Sequence, residues 1–333
     1  PCTPAEDNTS QDRLKQLGDF RIFRQIGRGG MGIVYEANQI SMNRRVALKV
    51  LPLAGLVDEL KIRRFQNEVR AVAALDHPNI VPVYMVGEER GVHYYAMRLI
   101  RGRSLSEVIS SLGQVRDEGH PLDGASVSRI TRSGLSDELE DVELDKVAVA
   151  SLDAASPAED PAHGDSPAAD ESVDRCDSST IPHSSRSEYF RCVAALGIQA
   201  ASALQHAHDQ GVVHRDIKPA NLLLDSASKL YVTDYGLARI EADAGVTMSG
   251  DLVGTLRYMA PEQAFAKRVL VDHRADIYSL AVTLYELLTL RPAYHAEDRR
   301  LLLKKIAFEE PTPLRRIDPE IPKELETIVH TAM

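Results

Sequence analysis

The sequence predicts an α+β chain, with an antiparallel sheet built from its first third and a mainly helical remainder. Three observations predict this. From Phe20 to Leu99, short runs alternate apolar and polar residues with period 2 and are separated by glycine-rich or polar turns. From about residue 188 onward apolar residues recur at helical spacing, as in Phe190, Val193, Leu196, Ala201 and Leu204. Between these regimes lies His214-Arg215-Asp216-Ile217-Lys218-Pro219-Ala220-Asn221, an acid, two cations and an amide held between the apolar runs 211–213 and 222–224. With 333 residues the chain has room for two lobes that share a cleft.

Residues 1–17 are polar and are expected to be a flexible N-terminal segment, with a helical turn over 12–17. Phe20 to Ile26 alternates as a strand and runs into Gly27-Arg28-Gly29-Gly30-Met31-Gly32. Gly27, Gly29 and Gly32 form a GxGxxG, which by itself is weak, because dinucleotide-binding folds share it. The context separates the two, since a strand follows here (Ile33 to Ala37) where the dinucleotide motif opens a helix. A hairpin with glycines at its tip lets backbone N–H groups approach phosphates unobstructed. The next strand, 44–51, carries Lys49 among apolar neighbours. Helical spacing over 57–75 places Glu68 where it can face inward and pair with Lys49, and Pro78 ends that helix. Two further strands, 81–87 and 92–99, lead into Met97-Arg98-Leu99-Ile100.

Ser104 with Glu107 three residues later is a capping box and predicts a helix to about Leu112. Residues 113–187 are then rich in Ser, Asp, Ala and Pro, and are read as an acidic, disordered insertion with a short helix near 137–149. This stretch explains the charge. Residues 111–187 hold 17 Asp/Glu against 6 Lys/Arg, against a net −10 for the whole chain, so the remainder is close to neutral. No broad basic surface for nucleic acid is implied.

A long helix over 188–210 delivers the chain to the polar octet. There Asp216 can accept a hydroxyl proton, Lys218 can neutralise charge on a moving phosphoryl group, and Asn221 can hold a metal. Two short strands follow and end at Asp234-Tyr235-Gly236. Gly254-Thr255-Leu256-Arg257-Tyr258-Met259-Ala260-Pro261-Glu262 comes next, then an apolar helix over 272–290 and amphipathic helices over 297–308 and 322–332.

These motifs, in this order, resemble the catalytic domain of the eukaryotic-type serine/threonine protein kinases, and Gln263 with Gly30-Met31-Gly32 resembles its bacterial members. The resemblance covers roughly 18–110 and 188–333 and rests on Val-Ala-Leu-Lys49, His214-Arg215-Asp216, Asn221, Asp234-Tyr235-Gly236 and Ala260-Pro261-Glu262. It implies a two-lobed fold, with a small lobe (18–99) of five antiparallel strands plus one helix and a mainly helical large lobe (100–333). It implies ATP bound with Mg²⁺ between the lobes. Asp216 is then the catalytic base, assisted by Lys218 and Thr255. Lys49 held by Glu68 grips phosphate, and Asn221 and Asp234 ligate the metal. Ile26, Gly27, Gly29, Gly32, Val34, Ala47, Met97 and Leu223 surround the nucleotide, and the main chain of Arg98 and Ile100 reads the adenine edge. Lys218 with Thr255 implies Ser/Thr hydroxyls of proteins as acceptors. Thr247 and Ser249 are the expected autophosphorylation positions, with Arg215 as phosphate receptor and two paired copies as a route to phosphorylation in trans. Asp276 is expected to bond the catalytic-loop backbone.

Three features depart from the family pattern. Arg98 replaces an acidic hinge residue, Tyr235 replaces Phe, and Glu262 has no Arg partner before Met333. Two rival readings share the motifs: a nucleotide-binding scaffold that transfers nothing, and a small-molecule kinase. Cys2, Cys176 and Cys192 lack metal-ligand spacing and point to a reducing, cytoplasmic setting. No run of about 18 apolar residues spans a membrane. A chain running from Pro1 to Met333 is expected to be a piece of a longer protein, in which an anchor could lie elsewhere.

Overall fold

A computed structural model describes residues 16–29, 32–51, 69–139, 183–235, 254–265, 271–296 and 298–333. Six antiparallel strands form the small lobe: β1 (Gln16–Leu17), β2 (Phe20–Gly29), β3 (Gly32–Gln39), β4 (Arg44–Val50), β5 (Val83–Glu89) and β6 (Val92–Arg98), in the order β1-β2-β3-β4-β6-β5. This is one strand more than the sequence predicts. Gln16 and Leu17 pair with Arg21 and Phe20 instead of forming a helical turn, so the sheet begins inside the segment expected to be flexible. Alternation sets the two faces of the sheet. Val46 and Leu48 join Phe20, Ala37, Tyr94 and Ala96 on one side, and Ala47, Leu51, Tyr95 and Met97 turn to the other. The β2–β3 hairpin closes with Gly29 opposite Gly32. At Gly32, φ is +132° and a Cβ would lie 2.2 Å from the Val50 carbonyl, so only glycine fits there.

β6 ends at Arg98, and β7 (Gly102–Ser104) pairs with β8 (Leu222–Asp225), which pairs with β9 (Leu230–Val232). Ser104 caps α1 (Leu105–Asp117) with both halves of the predicted capping box. The insertion starts later than expected, because α2 (Gly124–Leu139) is a packed helix. Its Val127 and Ile130, with Leu122 just before it, lie in the main core. The Ser/Asp-rich composition hides this. Thr131 is fully buried on the core face, and its hydroxyl is satisfied by the Val127 and Ser128 carbonyls. Residues 140–182, with the predicted helix near 137–149 beyond its first turn, lie outside the described residues.

The large lobe is built on α3 (His183–Asp209) and α5 (Arg274–Thr289), with α4 (Pro261–Phe265), α6 (Arg299–Phe308), α7 (Leu314–Ile317) and α8 (Lys323–Ala332) around them. Tyr189, Phe190, Val193, Leu196, Ala200 and Leu204 of α3 meet Leu280, Ala281, Tyr285 and Leu288 of α5 in one core. The loop before β5 is fastened to this lobe. Val81 N–H donates to the Val232 carbonyl (3.0 Å) and Val232 N–H to the Asn79 carbonyl (2.8 Å). Asn79 Nδ2 donates to the Leu230 carbonyl and to Gln199 of α3.

Candidate active site

The polar octet follows α3, which Gly211 ends in a left-handed conformation at φ +73°. Its backbone is set by Asp276 on α5, a fully buried carboxylate that accepts the N–H of His214 and of Arg215, both at 2.7 Å. His208 of α3 reaches the same carboxylate at 2.8 Å. Burial alone would raise this carboxyl, but the hydrogen bonds from His208 and from the His214 and Arg215 N–H groups outweigh it and hold the pKa below the usual range. Arg215 sits at φ +67°, a conformation that a non-glycine side chain adopts only when its surroundings fix it. Asp276 is thus the backbone anchor that the sequence implies. The His214 ring donates from Nε2 to the Thr233 carbonyl (2.9 Å) and accepts the Asp216 N–H at Nδ1 (3.3 Å), which assigns its tautomer. The same ring lies against Tyr235, 4.5 Å between centroids.

With the backbone fixed, Asp216, Lys218, Asn221 and Thr255 converge. Lys218 Nζ lies 2.9 Å from Asp216 Oδ2 and donates to Thr255 Oγ1 at 3.2 Å. Asn221, in a 3-10 turn at Pro219–Asn221, donates from Nδ2 to the Asp216 carbonyl (2.7 Å) and to Asp216 Oδ2 (2.9 Å). Both side-chain contacts fall on Oδ2, so among the described residues Asp216 Oδ1 is left open to accept a proton. Asn221 likewise keeps its side-chain oxygen clear of described partners.

Lys49 on β4 lies in register between Val34 of β3 and Tyr95 of β6. Its Nζ pairs with Asp234 Oδ1 at 2.8 Å, tying the small lobe to the large one. Asp234 is at φ +63°. Burial would raise its carboxyl, yet the Lys49 charge and the hydrogen bonds from Lys49 and Tyr95 hold it below the ordinary value. Its Oδ2 is open among the described residues. An ionised carboxylate oxygen and an amide oxygen are hard donors of the kind Mg²⁺ takes, so Asp234 and Asn221 fit that ion.

Val34, Ala47, Met97, Ile100 and Leu223 come together in one apolar cluster with Tyr231, spanning the inner face of the sheet and β8. Ile26 stays out of it and is 40% exposed. Arg98 is exposed, its N–H donates to the Pro82 carbonyl, and its guanidinium lies 5.6 Å from the Tyr231 ring centroid. Glu68, Gly30, Met31, Gly236, Thr247 and Ser249 lie outside the described residues. Glu262 makes no ion pair with a described residue.

Sequence reasoning passes over three contributors. Helical position alone suggests a surface or packing role for His208, yet it bonds Asp276. Gln263 donates from Nε2 to the Arg215 carbonyl (3.0 Å) while its Oε1 accepts the Ala260 N–H (3.3 Å), tying the segment at 260–263 to the catalytic loop. Tyr95 donates to Asp234 Oδ1 at 3.0 Å. Its signal is present in the sequence, because two residues before Met97 puts it on the same strand face.

A family model described as protein tyrosine and serine/threonine kinase matches residues 20–333. The chain belongs to this family. The kinase is 29% identical over 313 residues to serine/threonine-protein kinase PrkC of Bacillus subtilis (strain 168), a match that covers 94% of the chain. It is 30% identical over 319 residues to serine/threonine-protein kinase PknD of Mycobacterium tuberculosis, a match that covers 96%. It spans 37% of the length of each of these relatives. Among solved structures, a mutant form of the PknI kinase domain of Mycobacterium tuberculosis superposes with a TM-score of 0.54 at 22% identity, over 96% of this chain and 89% of that one. That likeness bears on the fold alone and agrees with two lobes.

Proposed function

We propose that this kinase transfers the γ-phosphoryl group of ATP, with Mg²⁺, to Ser/Thr hydroxyls of proteins, including its own Thr247 or Ser249. The observation that carries the reading is the convergence of Lys218, Asn221 and Thr255 on Asp216, which leaves one carboxylate oxygen open. As the acceptor oxygen bonds to phosphorus and the bridge to the leaving diphosphate breaks, its proton passes to Asp216 Oδ1. Lys218 offsets charge on the transferred group, and Lys49 offsets charge on the nucleotide phosphates. The ATP ring would lie among Val34, Ala47, Met97 and Leu223, beside the Arg98–Ile100 main chain. Mg²⁺ held by Asn221 and Asp234 would neutralise phosphate oxygens during transfer. Thr255 supports a protein hydroxyl as acceptor, because its Oγ1 holds the Lys218 ammonium where that hydroxyl must arrive.

No helix among the described residues is long and apolar enough to cross a membrane. The test is phosphate incorporation from labelled ATP, with Mg²⁺ and a generic basic protein, in the wild type and in Asp216→Asn and Lys49→Met. Label on Ser or Thr in the wild type that vanishes in both variants is the expected result. ATP binding without any transfer would instead establish a nucleotide-binding scaffold, and transfer to a metabolite but to no protein would establish a small-molecule kinase.

A further inference from the structure

We propose that Tyr95 is a positioning residue for Asp234, holding one carboxylate oxygen so that the other faces a metal ion. This rests on the reading of Asp234 as a Mg²⁺ ligand. Tyr95 stands opposite Lys49 in the β4–β6 pairing, on the inner face of the sheet, and is 3% exposed. A buried hydroxyl is costly unless it is bonded, and packing alone would be served as well by Phe. Here the hydroxyl donates to Asp234 Oδ1, the same oxygen that Lys49 holds, at 3.0 and 2.8 Å. Two donors on Oδ1 fix the carboxylate plane and leave Oδ2 pointing away from both. The two donors differ in kind. Lys49 carries a charge on a flexible stem and is called on by nucleotide phosphates, whereas Tyr95 is a neutral donor on a rigid ring in mid-strand. When the ammonium turns toward phosphate, the phenol keeps hold of the carboxylate. Asp234 needs such an anchor, because its backbone at φ +63° is strained and stays there only while contacts maintain it.

The test is calorimetric binding of ADP with and without MgCl₂, in the wild type, Tyr95→Phe and Asp234→Asn, with a thermal melt of each. The proposal expects Mg²⁺ to tighten ADP binding in the wild type, and that gain to fall about tenfold in Tyr95→Phe, the size of one hydrogen bond to a charged acceptor. Metal-free ADP affinity should stay near wild type in Tyr95→Phe, and its melt should remain one cooperative transition, lowered by only a few degrees for the lost buried bond. A full Mg²⁺ gain in Tyr95→Phe beside a lost gain in Asp234→Asn overturns the role of Tyr95 and leaves the metal assignment standing. Equal losses with and without metal in Tyr95→Phe also overturn it, since the phenol would then only shape the cleft. A Mg²⁺ gain that survives in Asp234→Asn, or is absent from the wild type, overturns the metal reading of Asp234 and the role of Tyr95 with it.

Discussion

Asp276→Asn is the most informative single change to the large lobe. The native carboxylate receives three donors at 2.7, 2.7 and 2.8 Å in a site with no solvent exposure. Asparagine keeps one oxygen and replaces the other with an NH₂ that faces a donor, so at least one backbone N–H is orphaned. A lost charge-assisted bond contributes about 1.5–3 kcal/mol and an unsatisfied buried amide roughly 1–3 kcal/mol, which together suggest a loss of about 3–5 kcal/mol. For a domain of this size that corresponds to a fall of about 10 °C in melting temperature, readable by calorimetry. Because the same bonds hold Arg215 at positive φ, kcat should fall further than the unfolded fraction explains, with the KM for ATP little changed. The pH dependence gives a second reading. A carboxyl held below its unfolded value stabilises the fold above the ordinary range near pH 3.9, and that stability is lost as the pH falls through the lower folded value. Acid denaturation should therefore be steeper in the wild type than in Asp276→Asn. A variant that melts within about 2 °C of the wild type and keeps its kcat would refute the anchoring argument.

Other predictions are more local. A Cβ at Gly29 meets nothing within 4 Å among the described residues, whereas one at Gly32 meets the Val50 carbonyl at 2.2 Å. Gly29→Ala should thus leave the melting temperature unchanged while weakening ATP binding, and Gly32→Ala should lower both, as fluorescence titration and melting would reveal. Leu224→Ala removes a fully buried side chain beneath the catalytic loop and should lose about 2–5 kcal/mol in urea titration. The Tyr235 hydroxyl reaches the Ala203 carbonyl only at 3.4 Å, so Tyr235→Phe should shift stability by less than about 1 kcal/mol.

Much of the site is legible in the sequence because its chemistry is local. Asp216, Lys218 and Asn221 lie within six residues, and their contacts follow from one tight turn. The strand carrying Lys49 is legible from period-2 alternation. Helix α2 is not, because a Ser-rich stretch at the start of an Asp- and Ser-rich segment, with a buried, back-bonded Thr131, has the composition of a loop, and packing of Val127 and Ile130 into the core selects the helix. Gln16 and Leu17 suggest a helical turn because two residues carry no period of their own, and their strand exists only through pairing with Arg21 and Phe20. The bonds of Tyr95 to Asp234 and of His208 to Asp276 span 139 and 68 positions, and no periodicity reports such meetings.

The fastening of Asn79 and Val81 to β9 has a mechanical consequence. Residues 79–81 precede a small-lobe strand, yet their hydrogen bonds run to the large lobe, so they travel with it when the sheet rocks. Bending then concentrates where the two chain crossings between the lobes lie side by side, at Pro82 and at Arg98, which are joined by one hydrogen bond of 3.1 Å. Proline fixes φ at the first crossing, and the second has only the short stretch before Gly102 in which to turn. Any opening of the cleft would have to be absorbed by this short paired stretch, which makes Pro82 and Arg98 the place where the two halves are mechanically joined.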